Sequence, residues 1–340
     1  MQINQFFSER PNVTQAACDQ WAASALGGPV RASTVQGATS YTVEAVQAGK
    51  GVVQFRSPDE ALDITLIQSA QEAYGYQFVP CPRDGGCLAG LKAYIMDNVG
   101  GVSVYLARDQ LRANDGRLLR VTLTDFARYQ ASSFCPSSRF CMLTRTFRFF
   151  ASPWHNRPTS VSSPSRSQLY ASYEADLKQL REGLSSQWHI MLDNLLQGLP
   201  LLFASDWPMV PNHTDLLENN IHVDSSTGRI TGICDWHDTT VSPFGTSLWG
   251  VESMLGERTT TGWRWVGNSA MLRRGFWEAF AAAAGPQVPI EHVEVARLVG
   301  IFLKFGFEWV DQETRRPVME GSSDFSFLKA VTLNVDKGGS

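Results

Sequence analysis

The chain has no apolar run approaching the roughly 20 residues a membrane-spanning helix needs. None of its six cysteines forms a CxxC pair or stands near histidines at zinc-finger spacing. A membrane span and a structural zinc site are therefore not expected. Charge is also sparse: 18% of residues are charged and the net charge is −4, which leaves no global basic surface for nucleic acid. With 43% hydrophobic residues in 340, the composition is that of a compact folded chain, long enough for one large or two ordinary domains. The opening residues, MQINQFFSERPNV, lack an apolar core behind basic residues, so no signal peptide is read there. Reduced thiols in a cytoplasmic protein are expected, with Cys81 and Cys87 the one pair whose Pro/Gly-rich surroundings would fit a bridge.

One stretch concentrates polar chemistry. Residues 211–237, PNHTDLLENNIHVDSSTGRITGICDWH, set His213, Asp215, Asn220 and Asp235 around two short alternating apolar runs. Ile221 and Val223, then Ile230 and Ile233, flank a Ser/Thr/Gly turn, which predicts two strands joined tightly. Such a hairpin carries Asn220 at its start and Asp235 just past its end, so both reach one mouth. Single Asp and Asn residues are ordinary turn formers. Four polar groups in this order match something more specific, a phosphoryl-transfer loop. There an Asp takes the acceptor's hydroxyl proton, while an Asn five residues on and a later Asp hold Mg²⁺. Asp215, Asn220 and Asp235 fill those places.

His213-Thr214-Asp215 with Asn220, then Ile233-Cys234-Asp235-Trp236, resembles the HGDxxxxN and IDW motifs of the aminoglycoside phosphotransferase-like kinases. Residues 36–42 (QGATSYT), 52–56 (VVQFR), 94–97 (YIMD), 242–245 (SPFG) and 305–309 (FGFEW) are similar, in order, to the branch of that family abundant in filamentous fungi. The resemblance runs from about residue 35 to about residue 320. It implies an α+β, bilobal protein-kinase-like fold. Residues 1–97 would form an N-terminal lobe with an antiparallel sheet and a helix. Residues 98–340 would form a larger, mainly helical lobe holding the catalytic loop and acceptor pocket. It also implies ATP or GTP with Mg²⁺ as cofactors, and a small-molecule acceptor phosphorylated on a hydroxyl or amine, such as a fungal secondary metabolite.

Within this resemblance Asp215 and His213 are the expected catalytic residues, and Asn220 and Asp235 the metal ligands. Gly37 and Ser40 belong to the turn over the phosphates, Gln54 and Arg56 to the third strand, and Met96 and Asp97 to the hinge that meets the base. Four departures stand out. The turn has a single glycine, the third strand has no lysine, Thr214 replaces a glycine, and His237 stands where many relatives carry an acid. Gln54 and Arg56 share one strand face. A guanidinium there would pair with phosphate oxygens without the reach of an ammonium. Its acidic partner on the next helix would be Asp63 or Glu60. The departures motivate a rival reading: a kinase-like fold diverted to ligand binding, or to a non-phosphoryl reaction such as cyclisation or dehydration.

Elsewhere, residues 1–27 read as helical up to Gly27, and Ser57 reads as the cap of a second helix. Residues 80–86 read as a loop, and 88–96 as one apolar strand. Apolar spacing predicts helices over 105–111, 118–130, 168–184 and 188–196. Residues 150–166, rich in Ser and Pro, read as a long loop or insertion. Trp263, Trp265, Phe276 and Trp277 are either core or the floor of an acceptor pocket.

Overall fold

The computed structural model describes residues 2–37, 39–47, 49–127, 150–158, 165–311 and 313–334. Two helices open the chain, α1 (Gln2–Ser8) and α2 (Gln15–Leu26). They are separate because Thr14 caps the second, its Oγ1 accepting from the Ala17 amide at 3.2 Å, and Gly27 in the left-handed region at φ 68° ends it. Five antiparallel strands follow: β1 (Val30–Ala32), β2 (Ser40–Ala45), β3 (Val52–Arg56), and, after helix α3 (Ile64–Tyr74), β4 (Arg83–Leu88) and β5 (Leu91–Met96). Their order in the sheet is β1-β2-β3-β5-β4.

Two details differ from the sequence reading. The helix does not begin at Ser57: Pro58–Glu60 is a single 3-10 turn, and α3 starts behind Asp63, whose Oδ1 accepts from the Leu66 amide at 2.9 Å. The glycine-bearing residues 83–86 are strand rather than loop, with a bulge between Asp84 and Gly86. Gly85 is needed there because a Cβ would come within 2.8 Å of the Trp21 ring. The expected strand over 88–96 is thus a hairpin end, a turn at Ala89 and Gly90, and β5.

Past the hinge come β6 (Val102–Ser103) and α4 (Val104–Ala127), the latter broken by non-helical backbone at Ala113, Asn114, Asp115 and Gly116. The helices expected over 105–111 and 118–130 are its two halves, residues 128–130 lying outside the described residues. A short α5 (Ser152–His155) replaces part of the expected loop, because Trp154 packs edge-on against Trp207 and Phe244. Residues 159–164 of that expected loop lie outside the described residues.

There follow α6 (Arg166–Gly183), α7 (His189–Leu202), β7 (Met209–Asn212), β8 (Ile221–Val223), β9 (Ile230–Ile233) and β10 (Thr240–Pro243). The chain continues through α8 (Gly250–Met254), β11 (Gly256–Thr259), β12 (Gly262–Trp265), α9 (Ser269–Ala284), α10 (Ile290–Phe305), β13 (Phe307–Trp309), β14 (Arg315–Pro317) and α11 (Ser323–Leu333). This is an antiparallel sheet region followed by a helical one, an α+β kinase-like arrangement. No helix among the described residues is long and apolar enough to cross a membrane.

Burial divides into two cores. The smaller joins α1 and α2 to the sheet through Phe6, Cys18, Tyr41, Val53 and Phe55. The larger fills the helical region and also takes Ile67, Ala70, Tyr74 and Phe78 from α3 and the turn after it. The helix inserted in the first lobe is thus packed onto the second, and the two cores do not part in chain order at residue 97. Burying such side chains gives about 1.5–3 kcal/mol each, so α3 is a firm tie between the lobes.

The hinge is tied down as well. Gly100 and Gly101 both have positive φ, 70° and 65°, and a Cβ on Gly101 would strike the Val223 carbonyl. That close approach lets the Gly100 carbonyl accept from Thr231 Oγ1 at 3.0 Å and meet His222 Nδ1 at 3.2 Å. Both partners lie on the β8–β9 hairpin, so the hinge and the candidate loop are fixed to each other.

Candidate active site

β7 delivers the chain to the site. It pairs with β10 in the register Thr240↔Asn212, and the buried Asn212 side chain clamps the far end by donating to Ser242 Oγ at 2.8 Å and accepting from Ser247 Oγ at 2.8 Å. The next residues close a ring of hydrogen bonds. Asp215 Oδ2 accepts from Asn220 Nδ2 at 3.1 Å, and the Asn220 carbonyl accepts from the Cys234 amide at 2.7 Å. The Cys234 carbonyl meets His213 Nε2 at 2.8 Å, and His213 Nδ1 accepts from the Asp215 amide at 3.1 Å. Four residues that the sequence spreads over 22 positions are thereby one unit.

His213 is 1% exposed, with its ring edge-on to Trp236. Burial pushes its imidazole below the usual histidine range, against the opposing pull of the Cys234 carbonyl and the Asp235 and Asp215 carboxylates. With both ring nitrogens held by backbone, it is placed to orient the loop rather than to exchange a proton with a substrate. Cys234 is no nucleophile: burial, then Asp235, pushes its thiol up to about 12.

Asp235 follows in the left-handed region at φ 59°, a conformation Asp tolerates at some cost. That backbone turns its carboxylate toward the sheet, where Oδ1 accepts from Arg56 Nη2 at 2.9 Å. Arg56 is 2% exposed. Its Nε donates to Gln54 Oε1 at 2.7 Å, and Gln54 Nε2 in turn donates to Ser40 Oγ and Thr42 Oγ1, both at 3.2 Å. One polar string therefore runs from β2, along β3, to the loop after β9. Gln54 braces and Arg56 reaches.

Neither acid expected to hold Arg56 does so. Asp63 caps α3, and Glu60 Oε2 lies 3.4 Å from His237 Nε2, while His237 Nδ1 lies 2.7 Å from Asp238 Oδ1. Gly37 sits where a Cβ would come within 2.7 Å of Ser40 Oγ. The turn is held by Gln36, whose amide accepts from Thr42 N at 2.9 Å and donates to the Ser33 and Thr42 carbonyls at 2.8 Å. Ser40 is itself buried on Gln54. Met96 pairs with Val52 at the end of β5, and Asp97 is exposed beside it.

Several residues escaped the sequence reading. Glu218, inside the loop, receives Arg108 at 3.0 Å and Arg112 at 3.2 Å, and both arginines also reach Glu257. This fastens the loop to α4. Thr214, already singled out in the sequence as standing for a glycine, donates its Oγ1 to the Asp238 carbonyl at 2.7 Å and ties two loops together. Lys304, near the end of α10, donates to Asp215 Oδ1 at 3.1 Å. It also lines a cavity of about 180 Å³ with Tyr173, Thr214 and Trp249. Trp265, Phe276 and Trp277 do not line this cavity, and Trp263 packs edge-on against Phe327. The nearest signal for Lys304 was the FGFEW resemblance, which begins one residue later.

Comparison with known proteins agrees with this architecture. A choline/ethanolamine kinase family protein from Mesorhizobium loti aligns at 12% identity over 90% of this chain and 84% of that one, with a TM-score of 0.50. Aminoglycoside phosphotransferase APH(3'')-Id from Streptomyces rimosus, in complex with ADP and streptomycin, aligns at 14% identity over 86% and 99%, with a TM-score of 0.44. No curated protein matches the chain. The family model described as "Phosphotransferase enzyme family" matches residues 36–286, which takes in β2, the hinge and the whole hydrogen-bonded loop, and the chain belongs to that family.

Proposed function

We propose that the protein is a cytoplasmic small-molecule phosphotransferase that moves the γ-phosphoryl group of ATP or GTP to a hydroxyl or amine of its acceptor. The observation that carries this reading is the closed ring joining Asp215, Asn220, Cys234 and His213, with Asp235 next in the chain and bonded to Arg56 across the cleft. Asp215 accepts the acceptor's proton as the acceptor oxygen or nitrogen bonds to the γ-phosphorus. The bond from that phosphorus to the β-phosphate oxygen breaks, and a nucleoside diphosphate leaves. Asn220 and His213 hold Asp215 in place, and Arg56 steadies the phosphates. The work of the site is positioning and charge neutralisation.

The donor chemistry fits Mg²⁺, which takes oxygen ligands and completes its shell with water and phosphate. Asn220 spends its Nδ2 on Asp215 and Asp235 spends Oδ1 on Arg56, so the Asn220 amide oxygen and Asp235 Oδ2 have no hydrogen-bond partner among the described residues. Those two oxygens would hold the ion, which when bound neutralises phosphate charge. Met96 and Asp97 would meet the base through their backbone at the hinge.

One observation favours the rival reading, a fold diverted to binding or to a non-phosphoryl reaction. β3 has no lysine, and the guanidinium in its place is already spent on Asp235. Calorimetry with Mg-ATP and Mg-GTP, followed by mass analysis of a metabolite pool incubated with each, tests the proposal. Nucleotide binding and a product heavier by one phosphoryl group are expected. Product formed without nucleotide would overturn it.

A further inference from the structure

The cavity beside Asp215 has a volume of about 180 Å³, the scale of cavities that admit one benzene-sized ring. Tyr173 and Trp249 give it flat walls, and Asn212, Ser242 and Thr246 give it polar ones. Among the described residues that line it, none is acidic, and the one with a permanent charge is Lys304. Its ammonium is placed from two sides: Nζ lies 3.1 Å from Asp215 Oδ1 and 5.8 Å from the centre of the Trp249 ring. One of its three N–H donors is spent on Asp215, and the other two have no protein acceptor among the described residues. Each Asp215 oxygen already accepts one hydrogen bond, Oδ1 from Lys304 and Oδ2 from the Asn220 amide, and keeps a lone pair for the acceptor's hydroxyl.

We infer that the acceptor is a hydroxylated carboxylate, whose carboxyl group sits on Lys304 while its hydroxyl faces Asp215. Two free N–H donors on a single ammonium match the two oxygens of one carboxylate. A dianionic phosphate would call for a second cation, and the lining residues hold none. A cationic amine would meet the Lys304 ammonium, and the one carboxylate beside it, Asp215, is already paired with that ammonium at 3.1 Å, so the pocket disfavours the amine. Lys304 is thus a specificity residue, and it lies one contact from the candidate base. The inference rests on the proposed role of Asp215 only in where the hydroxyl points.

Three probes of one shape test it: para-hydroxymethylbenzoate, its neutral amide, and para-hydroxymethylbenzylamine. Each is titrated without nucleotide into the full chain and followed by ligand-observed NMR. The benzoate should bind at least about tenfold tighter than the other two, a margin typical of a charge-assisted contact. The preference should vanish in Lys304→Gln and persist in Lys304→Arg, with thermal unfolding confirming that both variants are folded. Equal or tighter binding of the benzylamine, no binding of any probe to the wild type, or a preference that survives in Lys304→Gln would each overturn it. Mg-nucleotide is titrated separately. Failure there sinks the phosphotransferase proposal, while the carboxylate preference stands or falls on the probes.

Discussion

Arg56 and Asp235 lie 179 positions apart and form an ion pair of 2.9 Å between the third strand of the sheet and the loop after β9. The arginine is almost wholly buried, whereas the aspartate side chain is 37% exposed. The pair ties the sheet to the loop after β9, and under the proposed reaction it also fixes where a phosphate would meet positive charge. Arg56→Met should lower stability by about 1–3 kcal/mol, below the full cost of breaking a buried pair because water screens Asp235. It should also weaken Mg-nucleotide binding at least about tenfold, in line with loss of one charge-assisted contact. Denaturant melts and calorimetry read the two effects separately. Unchanged nucleotide affinity would remove Arg56 from the phosphate site.

Asp215 and Asp235 should part company in kinetics. Asp215→Ala removes the proposed acceptor of the substrate's proton and leaves the Arg56–Asp235 pair alone. Transfer should fall by about 10²–10⁴ with nucleotide affinity nearly unchanged. Asp235→Asn keeps the shape of the side chain and removes its charge, so nucleotide affinity in Mg²⁺ should fall while Lys304 and Asp215 remain in place. A loss of nucleotide binding in Asp215→Ala as large as that in Asp235→Asn would mean the roles are wrongly divided.

The loop was legible in the sequence because its chemistry is local. Asp215, Asn220 and Asp235 sit on one loop-hairpin-loop unit, and alternation of Ile221, Val223, Ile230 and Ile233 is enough to place them. The shared face of Gln54 and Arg56 also followed from the two-residue period, but their partner did not. Asp63 looked like a free acid and is consumed as a helix cap. Lys304 was beyond reach, since helical spacing says which residues of α10 are buried and not which one overhangs a cleft. β4 was hidden by Gly85, which reads as a loop signal until the Trp21 ring above it is seen. Long-range packing decided Lys304 and β4, whereas Asp63 was taken by a cap bond only three residues long.

One hinge glycine and one at the end of α2 give a stability test. Gly101→Ala meets both a positive φ of 65° and the Val223 carbonyl, a backbone atom of the hairpin that cannot swing aside. Gly27→Ala meets a similar φ, 68°, with open space around it. The second change should cost about 1–2 kcal/mol, the left-handed penalty alone. The first should cost clearly more, and it should also weaken nucleotide binding because it shifts the hinge against the loop. Equal costs in chemical melts would show that the hinge is not seated on the hairpin as described.

Acid should loosen the same junction. Burial lowers the pKa of His213 and of His222, in each case against a carbonyl hydrogen bond that pulls upward, from Cys234 and Gly100 respectively. A histidine free in the unfolded chain titrates near about 6.5. Below that pH the unfolded state binds protons that the folded state refuses, so unfolding is favoured. The stability these two groups contribute is complete above about pH 6.5 and is lost as pH falls toward their lowered folded values. The melting temperature should therefore be flat from neutrality upward and decline between about pH 6.5 and 5. His222→Asn keeps a donor for the Gly100 carbonyl, and His213→Gln keeps one for the Cys234 carbonyl, yet neither side chain titrates. Each variant should show a shallower decline over that window, and the pair together the shallowest. A slope unchanged in both would assign the acid sensitivity to carboxylates elsewhere and free the hinge from it.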